Sequence, residues 1–168
     1  MKNNKINVKK LIKQSDKYLE LARWEKAEKI LRQVIKLDQK NPEAYYLLGD
    51  ALCKQERFIE SINALSKADK LLPNNPRILH LLGWTHFMNG NSDIGRKLMN
   101  KAHYLFPEDI QTLCDLAVLE NKEGNENQAL IFINKALEID PENEMAEEVY
   151  QAILYFRELR SKLKNKVN

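Results

Sequence analysis

Residues 42–75 read PEAYYLLGDALCKQERFIESINALSKADKLLPNN, and this stretch decides the fold. Tyr45, Leu48, Ala51 and Leu52 fall on one helical face. Past a polar break at Gln55–Arg57, Ile62, Leu65, Ala68 and Leu72 fall on another. These are i, i+3, i+4 and i+7 spacings, so the stretch predicts two helices joined by a turn. Leu72 precedes Pro73, where α geometry is disfavoured and the second helix ends.

The pattern repeats outward in both directions. Pro73, Pro107 and Pro141 lie 34 residues apart, as do Ala68, Ala102 and Ala136, and Lys67, Lys101 and Lys135. Leu37, Leu71, Leu105 and Ile139 carry the step through four copies. So many columns in phase without a gap define four units: 8–41, 42–75, 76–109 and 110–143. Residues 1–7 are left as a basic N-terminal tail, and 144–168 as a C-terminal capping helix and basic tail. Gly90 and Gly124 take the turn inside their units, where a positive φ costs glycine little. Ser15, Gly49, Gly83 and Ala117 on the first helices, and Ala27, Ser61, Gly95 and Ala129 on the second, are small where the two helices cross.

At this point the chain resembles the tetratricopeptide repeat (TPR) family. Tyr45, Leu48-Gly49, Leu52, Ser61, Leu65, Ala68 and Pro73 follow its 34-residue pattern. So do Leu79, Leu82-Gly83, His86, Gly90, Gly95, Met99, Ala102 and Pro107. The fourth unit reads Leu113, Leu116-Ala117, Glu120, Gly124, Ala129, Ile133, Ala136 and Pro141. The first is loosest, with Gln39 where proline is usual. The resemblance implies an all-α fold: an α-α superhelix (TPR solenoid) of four helix–turn–helix repeats plus the capping helix.

Composition agrees with a single folded domain. The chain has 168 residues, 43% of them apolar and 30% charged, with a net charge of +3. Unbroken apolar runs such as Ala129–Ile133 and Ala152–Phe156 are far short of a membrane span of about 20 residues. MKNNKINVKK at the start has no apolar core of a secretory signal. Two cysteines fit a reducing compartment, so a cytoplasmic location is expected. The charge is uneven. Residues 1–13 carry +5 and residues 157–168 carry +4, which leaves the body at −6. Solvated ends are the ordinary reading of such termini, and contact with nucleic acid or anionic lipid is the sharper one.

Residues 144–164 read as one helix. Met145, Val149, Ala152, Phe156, Leu159 and Leu163 recur at steps of four and three. Two readings follow: a face that covers the last repeat, or a seam at Phe156, Leu159 and Leu163 that pairs with a second copy or a partner helix.

The resemblance also implies a concave groove lined by positions 2, 5, 9, 12 and 13 of each first helix. Carried over, these are Lys9, Ile12, Asp16, Leu19 and Glu20, then Glu43, Tyr46, Asp50, Cys53 and Lys54. Arg77, His80, Trp84, Phe87 and Met88 follow, and last Gln111, Cys114, Val118, Asn121 and Lys122. The centre is aromatic and the first two units are acidic. Apolar anchors with a basic flank are therefore the expected ligand chemistry. The alternatives are plain: Trp84 packs against a neighbouring helix, and the acidic residues are a solvated face. Ile12 and Asp16 stand where the carboxylate-clamp subgroup has Lys and Asn, which argues against an acidic chaperone tail as ligand.

Cys53, His80 and Cys114 fall on three different units with no CxxC or HxxxH pair, so no metal or other cofactor is expected. His86 reads as a core histidine and His103 as a surface one. No phosphate-binding, dinucleotide, zincin or nucleophile-elbow motif is present, and no enzyme activity is expected. The reading is a non-catalytic adaptor, scaffold or co-chaperone that binds a protein or peptide. A self-assembling structural protein, pairing through the C-terminal helix or by repeat stacking, is the alternative. A nucleic-acid binder using the basic ends conflicts with the acidic groove, and a secretion or pilus-assembly chaperone is a narrower form of adaptor.

Overall fold

In a computed structural model, the backbone of residues 2–167 and the side chains of residues 7–163 are described. Among the described residues the chain forms nine α-helices and no strand. They are α1 (Lys2–Glu20), α2 (Trp24–Leu37), α3 (Pro42–Lys54), α4 (Phe58–Leu71), α5 (Pro76–Met88), α6 (Ser92–Leu105), α7 (Ile110–Lys122), α8 (Glu126–Ile139) and α9 (Glu144–Val167). Helical backbone thus begins at Lys2, inside the stretch expected as a tail. The chain divides into two compact units, residues 1–98 and 99–168.

Capping explains why α3, α5, α7 and α9 start where they do, 34 residues apart. Asn41 Oδ1 accepts from the Ala44 N–H at 3.0 Å, Asn75 Oδ1 from Ile78 at 3.2 Å, Asp109 Oδ2 from Thr112 at 3.1 Å and Asn143 Oδ1 from Ala146 at 3.1 Å. Each satisfies one of the orphan amides of a first turn. Asp38 and Asp140 reinforce the first and last of these caps by accepting from the Asn41 and Asn143 side-chain amides.

The turn inside each repeat has a second fixed point. Ala22, Glu56, Gly90 and Gly124, again 34 residues apart, all have positive φ, at 52°, 59°, 86° and 84°. Glycine takes this conformation freely, whereas alanine and glutamate carry a Cβ clash there. The geometry is therefore imposed by the repeat and only eased by glycine where glycine occurs.

In residues 1–98, α1 packs on α2, α2 on α3, α3 on α4 and α4 on α5, while α3 also touches α1 and α5. Val8, Ile12, Leu31, Val34, Leu48 and Leu52 belong to one buried cluster there. Gly49 is required by close approach. A Cβ at that position would stand 2.4 Å from Leu65 Cγ, and the Ser61 hydroxyl donates to the Gly49 carbonyl at 2.7 Å. Leu72, expected on the buried face, is exposed because α4 ends before it. An ion-pair network joins α2 to the start of α4. Arg57 binds Glu28 at 2.6 Å and Glu60 at 2.7 Å, and Arg32 binds Glu28 at 2.8 Å. Burial alone would raise the Glu28 carboxyl, but hydrogen bonds from Arg32, Gln55 and Arg57 outweigh it and hold it low.

In residues 99–168, α7 packs on α8, and α9 lies against both. Leu113, Cys114, Ile133, Ala146 and Ile153 form the buried cluster. The inward face of α9 is thus Ala146 and Ile153, with Met145 and Val149 half-buried beside them, while Ala152 points to solvent. The expected face is displaced because the far half of α9 is tethered by arginines. Arg157 pairs with Glu126 at 3.0 Å, and Arg160 donates to the Asn121 carbonyl at 3.2 Å and its Oδ1 at 2.6 Å. His103, expected at the surface, is half-buried edge-on against the Phe132 ring, with centroids 6.0 Å apart.

Candidate functional site

The twenty groove positions sort by depth in a regular way. Position 2 (Lys9, Glu43, Arg77, Gln111) and position 13 (Glu20, Lys54, Met88, Lys122) are exposed in every first helix. Position 9 (Asp16, Asp50, Trp84, Val118) is half-buried in every one. Position 12 is inside: Cys53, Phe87 and Asn121 are buried and Leu19 half-buried. Position 5 is mixed, with Ile12 and Cys114 buried and Tyr46 and His80 half-buried.

The set therefore narrows. Ile12, Cys53, Phe87, Cys114 and Asn121 are buried, and Ile12 and Cys114 each belong to a hydrophobic cluster. Asn121 is also held by Arg160, and Cys114 lies in one buried cluster with Ala146 and Ile153 of α9. Burial, reinforced by Asp115 and Asp109, pushes the Cys114 thiol up to about 11, so it is no nucleophile at neutral pH.

What stays accessible in residues 1–98 is a face built from α1, α3 and α5. The Arg77 guanidinium stands over the Tyr46 ring, 5.0 Å from its centroid. Both line a cleft of about 330 Å³ with Pro42, Glu43, Leu72 and Ile78. Such a cation–π contact holds an exposed arginine in one place at modest energy. Trp84 packs its ring against Phe87, with centroids 5.4 Å apart, and keeps part of its surface free.

Asp16 and Asp50 occupy the same position of α1 and α3. Burial and the neighbouring Glu20 raise the Asp16 carboxyl, against the pull of Arg77. Burial raises Asp50, against the pull of Lys54 and Arg77. Both carboxylates are thus under-compensated: the cations present do not repay what partial burial costs.

His86, expected in the core, is only half-buried, and desolvation lowers its pKa. Among the described residues no group of three or more His, Cys, Asp or Glu is placed to hold a metal ion. No described helix is long and apolar enough to cross a membrane. Sequence reasoning missed Arg160 and Glu126 as the residues that close the last first helix. Their signal was present only as charges on a helix read by its apolar spacing.

Tetratricopeptide-repeat family models match residues 18–84 and again residues 110–143. The chain belongs to the tetratricopeptide-repeat family. Human protein O-mannosyl-transferase TMTC1 is 24% identical over 135 residues, which is 76% of this chain. The repeat protein spans only 15% of TMTC1's length. MamA superposes with a TM-score of 0.71 at 25% identity, covering 80% of this chain and 79% of MamA. YrrB, described as a TPR protein with an unusual peptide-binding site, superposes with a TM-score of 0.67 at 20% identity, covering 90% of this chain and 78% of YrrB. These likenesses place the repeat protein among all-α repeat solenoids.

Proposed function

We propose that this chain is a non-catalytic adaptor, scaffold or co-chaperone that holds a peptide or helix against the face of α1, α3 and α5. The observation that carries the reading is the pair Asp16 and Asp50. They sit half-buried at one repeat position with raised pKa values, and Trp84 takes the same position on α5. The ligand is apolar and aromatic-seeking at its centre, with a lysine or arginine beside it. Apolar contact with Tyr46, Trp84 and Met88 supplies affinity, and the carboxylates supply charge selection. A helix or an extended segment meets these requirements. Acidic tails are disfavoured, because the two carboxylates repel them.

Paired capture from a lysate of the source tests this. The baits are the wild-type chain and Trp84→Ala/Asp50→Lys, matched for helicity by circular dichroism. Proteins retained by the wild type and lost by the variant support the groove. Equal retention by both overturns it.

A further inference from the structure

We propose that α9 is a pairing helix, on which two copies of this chain associate antiparallel about a two-fold axis. The proposal is independent of the α1–α3–α5 face.

Every other first helix in the chain is 13 residues long, apart from α1, and is followed by a second helix. α9 runs for 24 residues. Its first part docks through Ala146 and Ile153, and its far half is held edge-on by Arg157 and Arg160. Those contacts fix which side looks outward. On that side Tyr155, Phe156, Leu159 and Leu163 are 63%, 46%, 41% and 57% exposed. At 100° per residue they share an arc of about 120° with Glu148 and Lys162. An apolar stripe of this kind, with aromatic residues at its middle, is the composition of an interface core.

Charge selects the occupant. The start of α9 is acidic, with Glu144, Glu147 and Glu148, and its end is mostly basic, with Arg157, Arg160 and Lys162 beside one acid, Glu158, which pairs with Lys162 at 2.6 Å along the helix and leaves that ammonium free to share a second carboxylate. Glu148 and Lys162 lie in line with the apolar stripe, one at each end of it. A second α9 laid antiparallel, with the axis beside Tyr155, brings Glu148 of one copy to Lys162 of the other, and the reverse. The same register sets Leu159 opposite Gln151 and next to the exposed Ala152 of the second copy, a large residue beside a small one. A parallel pair would oppose like charges at both ends. The contact is isologous, so it closes as a dimer.

An anionic lipid surface is the competing occupant of a basic amphipathic helix, but Glu144, Glu147 and Glu148 would face it with the wrong sign. The test measures mass by sedimentation equilibrium over a hundredfold concentration range, with helicity checked for each variant. The wild type is expected to pass from monomer to dimer. Leu159→Glu should remain monomeric. Glu148→Lys and Lys162→Glu should each weaken the dimer about tenfold, because each creates two like-charge contacts. The double swap Glu148→Lys/Lys162→Glu should recover to within about threefold. A wild type that stays monomeric overturns the proposal, whether or not it binds vesicles of phosphatidylserine. So does a dimer indifferent to Leu159→Glu or to the single swaps.

Discussion

α3 and α7 start at Pro42 and Ile110, two repeats apart in register, and present the same positions to their surroundings. At position 5, α3 has Tyr46 half-exposed under Arg77, whereas α7 has Cys114 sealed in a cluster with Ile153. At position 9, α3 carries the under-compensated Asp50 and α7 carries Val118. At position 12, Cys53 and Asn121 are both buried, and Asn121 is fastened by Arg160. The difference teaches that repeat register sets the depth of positions 2, 9 and 13, while at position 5 the residue and the helix laid across it decide whether the position is open. The face of α3 offers unmet charge and a cleft. The face of α7 has been used to hold the end helix.

Opening the closed face should give the largest effect. Ile153→Ala removes the large apolar anchor of α9 and should cost about 3 kcal/mol in urea unfolding. It should also make Cys114 reactive to a thiol reagent that leaves the wild-type residue untouched. Unchanged Cys114 labelling would show that α9 does not shield it. Arg160→Ala keeps the apolar contacts but strips two hydrogen bonds from Asn121, and should cost about 1 kcal/mol by the same measurement.

The turn that follows each helix sharpens the comparison, because its backbone is shared and its residue is not. Glu56→Gly, after α3, should stabilise the chain by about 0.5–1 kcal/mol, and Gly124→Ala, after α7, should destabilise it by about the same. Thermal or urea midpoints moving in one direction for both would contradict a turn geometry set by register.

The smallest effect belongs to the open face. Asp50 has its carboxyl raised above the usual aspartate value of 3.8. The folded state therefore binds that proton more tightly than the unfolded chain. The stabilisation is full below 3.8 and lost as pH rises through the raised value. Asp50→Asn should then be more stable than wild type at pH 7, by roughly 0.5 kcal/mol, and equal to it near pH 3. Urea titrations at the two pH values check this. His86 and His103 have the opposite sign. Burial lowers both, so their contribution is intact above 6.5 and falls as acid charges them.

Much of the fold was legible in the sequence, because a 34-residue period repeated through four copies constrains helices, turns and small crossing residues together. The N-caps Asn41, Asn75, Asp109 and Asn143 keep that period and are strong capping types, a signal that the apolar spacing did not use. The positive φ at Ala22 and Glu56 was hidden, since neither residue type prefers it and only the backbone demands it. The candidate site was legible in outline. Family register picked out the first-helix positions but not their depth, so Cys53, Phe87 and Asn121 read as groove residues when they are packed inside. The face of α9 was left between two readings, cover for the last repeat or an exposed seam, for a different reason. Apolar spacing ranks side chains by hydrophobicity, and the largest of them, Phe156, Leu159 and Leu163, lie where Arg157 and Arg160 turn them away from α7 and α8. Polar contacts at 3.0 Å and 2.6 Å set that orientation, and periodicity carries no record of them.

The central claim is that the open face of α1, α3 and α5 selects a ligand by joint apolar and positive character. The most direct measurement is selection of peptides from a random display library on the wild-type chain and on Asp50→Lys. The account predicts that wild type enriches sequences with aromatic or aliphatic anchors beside lysine or arginine, and that Asp50→Lys loses the basic preference while keeping the apolar one. Enrichment of acidic sequences by the wild type, or the same consensus from both chains, would contradict it.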